Sequence, residues 1–293
     1  MVSESSGTPD LRHVTIGVQS GDVELHSEAL VNDSMTSPPV LFLSGAEEPS
    51  SRWPKELLQS VASRTGGAIW FDTRDIGQST WVEEPYGIDE LVVDALLVMD
   101  SHDVASAHVV GRGMGGQVAQ LLALARPDRV SSLTLVSSTP GRREEFGDPD
   151  EWLVDKMSER LFAGPPLRDG EVVEWIVEQL EWFNGPVFAF DRDHLITAVG
   201  AEVANGWRGP NGHGLAVVNA PDIVDELATI DVPALVVHGT SDPVYPVLHA
   251  QALAQRLPNS HLELIEGLGH ELPVELVPQL VELLTEHVLE TGP

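Results

Sequence analysis

The sequence predicts an α/β fold in which a mostly parallel, eight-stranded sheet is flanked by helices and carries an inserted helical cap. Short apolar segments alternate with helical patterns along most of the 293 residues. Strands that are apolar on both faces are typical of a parallel sheet covered by helices on both sides. The alternation stops between residues 139 and 228, and glycine-rich or acidic turns follow three of the predicted strands.

The predicted elements follow one another in the order that such a sheet requires. Two strands form a hairpin joined at Ser20-Gly21. The predicted strands cover residues 13–19, 22–31, 40–43, 68–71, 105–110, 130–136, 232–238 and 261–265, and the helices between and after them cover 53–62, 88–100, 115–125, 249–256 and 274–289. Residues 1–138 and 229–293 therefore form the predicted core domain.

Residues 139–228 form the predicted cap. Their pattern indicates helices over 150–162, 171–183 and 192–207, and they hold four of the seven tryptophans and five of the seven phenylalanines. Some of these aromatic side chains are expected only to hold the cap together. Others are expected to build an apolar substrate pocket, and the candidates are Trp152, Trp175, Trp182 and Phe183.

Composition excludes several classes of partner. The chain has 46 Asp and Glu against 16 Lys and Arg, a formal charge of −30, which disfavours nucleic acid and anionic membranes. It has no cysteine, so disulfides and thiolate chemistry are excluded. Neither a signal peptide nor metal-ligand spacing is evident. We expect a cytoplasmic monomer or homodimer that acts on a small molecule without a metal or cofactor.

The central motif is Gly111-Arg112-Gly113-Met114-Gly115, which follows one predicted strand and opens a helix. A nucleophile elbow has the pattern G-x-S-x-G in this setting. Here the flanking glycines are present, and Gly113 occupies the serine position. The segment also approximates a dinucleotide fingerprint, but that motif belongs to the first strand of its unit and is followed by an acid about 20 residues later. The strand over 131–136 ends without one.

An acid and a histidine follow the glycine motif along the chain. Asp242 lies in the turn after one apolar strand, within Gly239-x-x-Asp242-Pro243, and His270 lies in the glycine-rich loop after the next. Nucleophile position, acid and histidine in this order are the arrangement of α/β-hydrolases. The sequence resembles that superfamily. More narrowly, it resembles the bacterial branch that includes aclacinomycin methylesterase and acts on polyketide methyl esters.

The resemblance implies a role for each matching residue. Asp242 would orient His270 as general base, and the backbone N–H groups of Ala46 and Met114 would form an oxyanion hole. Gly45 and Glu47 lie beside that hole and are candidate substrate-binding residues. The Glu47-Glu48 pair departs from the family pattern. An inward Glu47 would oppose an oxyanion or serve as a new acid, and an outward one, which we favour, is surface charge.

Without a serine hydroxyl the site cannot form an acyl-enzyme, but the histidine and acid remain a usable base. The favoured hypothesis is an enzyme that uses His270 and Asp242 on an apolar specialised metabolite, as a cyclase, lyase, isomerase or water-mediated hydrolase. One alternative is a methylesterase-like enzyme inactivated by a serine-to-glycine change at Gly113. Another is a ligand-binding protein without catalysis. Four other histidines are expected to be structural: His108, His194, His213 and His238.

Overall fold

A computed structural model describes residues 11–32, 37–209 and 211–291 of the chain. Within these residues, eight strands form one sheet in the order β1-β2-β4-β3-β5-β6-β7-β8. The strands are β1 (Arg12–Ser20), β2 (Val23–Val31), β3 (Val40–Leu43), β4 (Ala68–Phe71), β5 (Ala107–Arg112), β6 (Val130–Val136), β7 (Ala234–Gly239) and β8 (Ser260–Ile265). The β1–β2 and β2–β4 pairs are antiparallel and all later pairs are parallel, which confirms the predicted fold class.

The helices alternate with the strands as the sequence predicts. Those of the core are α1 (Lys55–Arg64), α2 (Ile88–Ser101), α3 (Met114–Ala125), α8 (Val247–Arg256) and α9 (Val277–Glu290). Between β6 and β7 lie α4 (Glu151–Ala163), α5 (Asp169–Phe183), α6 (Arg192–Ala204) and α7 (His213–Val218). The bounds of the cap, 139–228, stay a prediction.

The strands are apolar on both faces because each face packs against helices. In β3, Leu41 and Leu43 belong to one buried cluster, whereas Val40 and Phe42 belong to the cluster on the opposite face. Residues of α2, α3 and α8 complete the first cluster, and residues of α1 and α9 complete the second. This two-sided burial makes the inner strands continuous apolar runs instead of alternating ones.

The cap has an apolar core of its own. Four residues of α5, namely Val172, Ile176, Val177 and Leu180, pack against Val199 and Val203 of α6. The prediction of one helix over 192–207 is wrong in its end, because α6 stops at Ala204 and Gly206 adopts a positive φ of 109°. The short α7 was not predicted. Within the described part of the chain, no helix is long and apolar enough to cross a membrane.

Candidate active site

The candidate residues meet where neighbouring parallel strands end. Strands β3, β5, β7 and β8 lead into the loops that carry residues 44–48, 112–114, 240–245 and 266–271. Because these strands run in one direction, their carboxyl ends lie at one edge of the sheet. A ligand site at this edge is the usual arrangement in open α/β sheets.

Gly113 lies at the sharp turn between β5 and α3, with φ 52° and ψ −114°. The glycines two residues before and after it, Gly111 and Gly115, are required for steric reasons. A Cβ on Gly111 would lie 2.3 Å from the carbonyl oxygen of Gly115, and a Cβ on Gly115 would lie 2.1 Å from that of Leu43. Position 113 is different, since a Cβ there would meet its nearest atom, Nε2 of His270, at 3.6 Å. The turn therefore has room for a side chain directed at His270.

His270 and Asp242 form a hydrogen-bonded pair. Nδ1 of His270 lies 2.8 Å from Oδ2 of Asp242. The other carboxylate oxygen accepts the backbone N–H groups of Val244 and Tyr245, at 2.8 and 3.0 Å. Burial alone would raise the pKa of Asp242, but the nearby His270 and the hydrogen bond from it hold that pKa below its ordinary value. An ionised Asp242 requires the Nδ1–H tautomer, which leaves Nε2 as a free acceptor facing Gly113.

A buried charge network ties three of the site loops together. Glu48 accepts the backbone N–H of Gly45 at 2.9 Å and is paired with Arg112. Arg112 also donates to the backbone oxygen of His270 and to Oε2 of Glu271, each at 2.9 Å. Burial works against the charged guanidinium, but Glu271 and Glu48 outweigh it and raise the pKa of Arg112. The network fixes the elbow, the 45–48 turn and the histidine loop relative to one another.

Two backbone N–H groups border the space beside Gly113. Met114 is the first residue of α3, so no carbonyl of its own helix can accept its N–H. Ala46 follows Gly45, whose Cα lies 3.9 Å from the position of a Cβ on Gly113. Ala46 and Met114 both line the cavity described below. Their placement is compatible with the oxyanion hole that the sequence predicts.

The backbone of Glu47 is hydrogen-bonded to His213, a residue of α7. Glu47 has a φ of 58°, and its N–H donates to Nδ1 of His213 at 2.9 Å. Nε2 of His213 lies 2.8 Å from the carbonyl oxygen of Arg74 and donates to it. The ring is therefore neutral, in agreement with a pKa that burial lowers to about 4. The favoured interpretation of Glu47 as outward surface charge is wrong, because its side chain lines the cavity, where burial raises its pKa.

A cavity of about 370 Å³ separates the cap from the carboxyl edge of the sheet. Its aromatic and aliphatic lining comes mainly from the cap. That lining includes Met157, Trp175, Ile176, Leu180, Phe183, Trp207, Val217, Val218, Val244 and Tyr245, together with Ala46 and Met114 of the core. On the core side, Gly45, Glu47, Gly113 and His270 face the same space. Among its described lining residues there is no serine, threonine, cysteine or lysine, and the phenol of Tyr245 is the one hydroxyl.

Two of the four aromatic cap residues expected at the pocket lie elsewhere. Trp152 is 44% exposed, and its indole N–H donates to Asp150 at 3.0 Å. Trp182 packs under the ammonium of Lys156, 4.6 Å from the ring centroid. Neither is among the residues that line the cavity. Trp175 and Phe183, the other two candidates, line it.

Tyr245 was not predicted at the site, and His213 was expected to have only a structural role. The Tyr245 ring meets His270 edge-on, with centroids 5.5 Å apart, and burial together with Asp242 raises its pKa to about 12. Its position three residues after the acid was the available signal. His108 and His238 are buried and bonded to Ser132 and to the Tyr245 carbonyl, as expected. Within the described ranges, no cluster of three metal-ligating side chains occurs.

The fold and this site define an α/β-hydrolase, and the chain belongs to that family, since residues 38–275 match the family described as alpha/beta hydrolase fold. It is 29% identical to rhodomycin D methylesterase DnrP of Streptomyces peucetius, over 92% of this chain and 96% of that one. It is 30% identical, over the same shares, to rhodomycin D methylesterase DauP of Streptomyces sp. (strain C5).

Solved structures share the fold at lower identity. The 2-hydroxy-6-oxo-6-phenylhexa-2,4-dienoate hydrolase BphD of Rhodococcus sp. strain RHA1 superposes with a TM-score of 0.76 and 19% identity, over 95% of this chain and 99% of that one. The esterase RhEst1 of Rhodococcus sp. ECU1013 gives a TM-score of 0.76 and 19% identity, over 96% of this chain and 99% of that one. These likenesses extend through both the core and the segment between β6 and β7.

Proposed function

We propose that the protein is an enzyme in which His270, held by Asp242, acts as general base on a small apolar carbonyl compound without forming a covalent intermediate. One observation carries the proposal. The free Nε2 of His270 faces the Gly113 position inside a cavity whose described lining offers no serine, threonine, cysteine or lysine. A base is in place where a nucleophile is missing, and Gly113 stands where a serine would provide one.

The phenol of Tyr245 does not replace the missing nucleophile. Its pKa of about 12 keeps it protonated near neutral pH, so it is a hydrogen-bond donor there and a poor attacking group. His270 is then left with two kinds of proton to remove. It can take one from water, whose hydroxide attacks the carbonyl carbon, or one from a carbon next to the carbonyl, which gives an enolate.

Both reactions place negative charge on the carbonyl oxygen. The N–H groups of Ala46 and Met114 support stabilisation of that charge, because backbone donors that are already oriented stabilise an oxyanion as it develops. In the hydrolytic reaction the proton taken up by His270 then leaves with the alcohol. In the other reaction it returns to carbon.

The substrate class follows from the cavity and the relatives. A space of about 370 Å³ with an aromatic wall fits a molecule with a flat apolar body. Two relatives are named as methylesterases of rhodomycin D. We therefore propose an aromatic carbonyl compound of specialised metabolism, with a methyl ester or an acidic C–H group at the reacting end.

Methyl para-acetylbenzoate tests the proposal because it carries an aryl methyl ester and an enolisable acetyl group in one molecule. The protein is incubated with it in D₂O and followed by NMR. Release of methanol reports water-mediated hydrolysis, and loss of the acetyl proton signal reports C–H exchange. Either reaction above the buffer rate supports the proposal. A molecule that binds and is recovered unchanged indicates a binding protein instead.

His270→Ala is the decisive variant, with an expected loss of about 10²–10⁴-fold for a missing general base. His194→Ala is the matched control, because His194 is an exposed cap histidine whose side chain does not line the cavity. An unchanged rate in His270→Ala, with the variant folded, would overturn the assignment of the base.

A further inference from the structure

We propose that Glu47 is the acid partner of His270, donating a proton to the substrate carbonyl oxygen while His270 removes one from the adjacent carbon. This inference rests on the proposed function and specifies its reaction as enolisation. The C–H bond breaks and its electron pair forms the C=C bond. The oxygen takes the Glu47 proton, so the keto form becomes the enol, with His270 protonated and Glu47 ionised. The reverse steps reset both residues.

The backbone of Glu47 is the first support. It lies in the turn directly after Ala46, one of the two proposed oxyanion donors, and its φ of 58° is uncommon for a residue with a side chain. The conformation is held by the hydrogen bond from its N–H to His213, and by the Glu48 carboxylate that accepts the Gly45 N–H across the same turn. Such backbone conformations persist where the surroundings enforce them, and they cluster at functional sites.

The free state of the carboxyl is the second support. Of the three glutamates that line the cavity, Glu48 and Glu271 are both paired with Arg112. Glu47 forms no ion pair or side-chain hydrogen bond within the described residues, although its side chain faces the cavity. Among the described residues that line the cavity, Glu47 is therefore the one whose carboxyl oxygens are available to a ligand.

Two arginines act on the Glu47 carboxyl through their charge, but neither forms an ion pair or hydrogen bond with it within the described residues. Arg52 is bonded to Glu202 at 2.8 Å, and the guanidinium of Arg160 lies 3.4 Å from the centroid of the Trp175 ring. His213 is neutral and accepts the Glu47 N–H. The remaining charged or titratable groups of the cavity are Arg112, Arg142, Tyr245, His270 and the two paired glutamates.

Electrostatics agree with this geometry. Burial raises the pKa of Glu47, and Arg160 and Arg52 only partly oppose it. An ionised carboxylate beside the oxyanion hole would repel the charge that develops there, whereas a protonated one donates to it. The two residues then divide acid and base roles, as catalytic pairs do when their environments differ. This arrangement favours substrates with an acidic C–H next to a carbonyl.

Glu47→Gln tests the inference, since glutamine keeps the size and a hydrogen-bond donor but cannot transfer a proton. Exchange of the acetyl protons of methyl para-acetylbenzoate is measured in D₂O across a range of pH. We expect a fall of about 10²–10⁴-fold in the exchange rate with little change in KM. The decline of the rate at high pH, where Glu47 ionises, should disappear. Glu47→Asp should restore part of the rate and the high-pH decline.

Glu56→Gln is the matched control, because Glu56 is exposed on α1 and does not line the cavity. An unchanged exchange rate and pH profile in Glu47→Gln, while His270→Ala loses exchange, overturns the inference and leaves the proposed function standing. Methanol release that depends on His270, without exchange above the buffer rate, likewise overturns the inference alone. Equal rates of both exchange and methanol release by the wild type and His270→Ala overturn the proposed function. Infrared spectra give a second readout. A protonated carboxyl band near neutral pH, present in the wild type and lost in Glu47→Gln, supports the inference, and its absence contradicts it.

Discussion

Replacing Gly113 with serine should create an esterase from this protein at a measurable cost in stability. The backbone at Gly113, with φ 52° and ψ −114°, is open to glycine and strained for other residues. Conformations of this kind cost about 1–3 kcal/mol for a residue with a side chain. No clash adds to that cost, because the nearest atom to the new Cβ is Nε2 of His270 at 3.6 Å. We expect a loss of about 1–3 kcal/mol in the free energy of unfolding.

The same geometry sets the expected gain. An Oγ bonded to that Cβ can reach hydrogen-bond distance of Nε2, about 2.6–3.2 Å, which completes a nucleophile–base–acid series with Asp242. Loss of a catalytic serine in a serine protease costs about 10⁶-fold in kcat. Since this site is not adapted to the serine, we expect to recover a fraction of that factor, about 10²-fold or more.

The assay is hydrolysis of para-nitrophenyl acetate, combined with mass spectrometry of the acyl-enzyme. Gly113→Ala is the matched control, since it carries the same backbone strain without a hydroxyl. Both variants should lose similar stability in urea unfolding, and only Gly113→Ser should gain activity and a covalent acyl group. A folded Gly113→Ser protein that shows neither would refute the placement of Gly113 against His270.

Further expectations concern the residues that support the site. His213→Ala should reduce activity and cost about 1–3 kcal/mol, because it leaves buried backbone groups unpaired, whereas the exposed His194→Ala should cost little; urea unfolding and the exchange assay measure both. Arg112→Met should cost about 3–5 kcal/mol by leaving the buried Glu48 and the partly buried Glu271 without their cation, and the midpoint of urea unfolding reports it. Tyr245→Phe should keep the fold and the edge-on ring contact with His270. If the variant binds methyl para-acetylbenzoate as tightly as the wild type in calorimetry, the phenol does not donate a hydrogen bond to that ligand. Burial lowers the pKa of His108 and His213 to about 4, so below pH about 6.5 the unfolded chain binds more protons than the folded one. The free energy of unfolding should therefore fall by about 1.4 kcal/mol per pH unit for each residue as the pH drops towards 4. A pH series of unfolding curves with and without His108→Asn checks the sign.

The core could be predicted from the sequence because its strands are apolar on both faces and its motifs sit at their ends. Gly113, Asp242 and His270 were located by the order of three turns. The structure places Gly113 and His270 at one cavity, and Asp242 is hydrogen-bonded to His270. Their roles stay proposals, but their proximity follows from the parallel sheet. Local patterns were sufficient here because each motif is contained within a few residues.

The cap could be predicted only in part. A helical period shows which residues share a face, but it does not show which neighbour that face meets. Trp175 and Trp182 both lie on α5, and only Trp175 reaches the cavity. His213 could not be assigned for a related reason. Two of its partners, Glu47 and Arg74, are more than 130 residues away in sequence, and no motif links them to it.

The bond between His213 and the Glu47 backbone makes one turn of the sheet depend on a distant helix. His213 belongs to α7, which lies between β6 and β7, whereas Glu47 belongs to the turn after β3. A displacement of α7 away from this turn would remove the acceptor of the Glu47 N–H. The core side of the cavity is therefore coupled to the position of a helix that is more than 160 residues away in sequence.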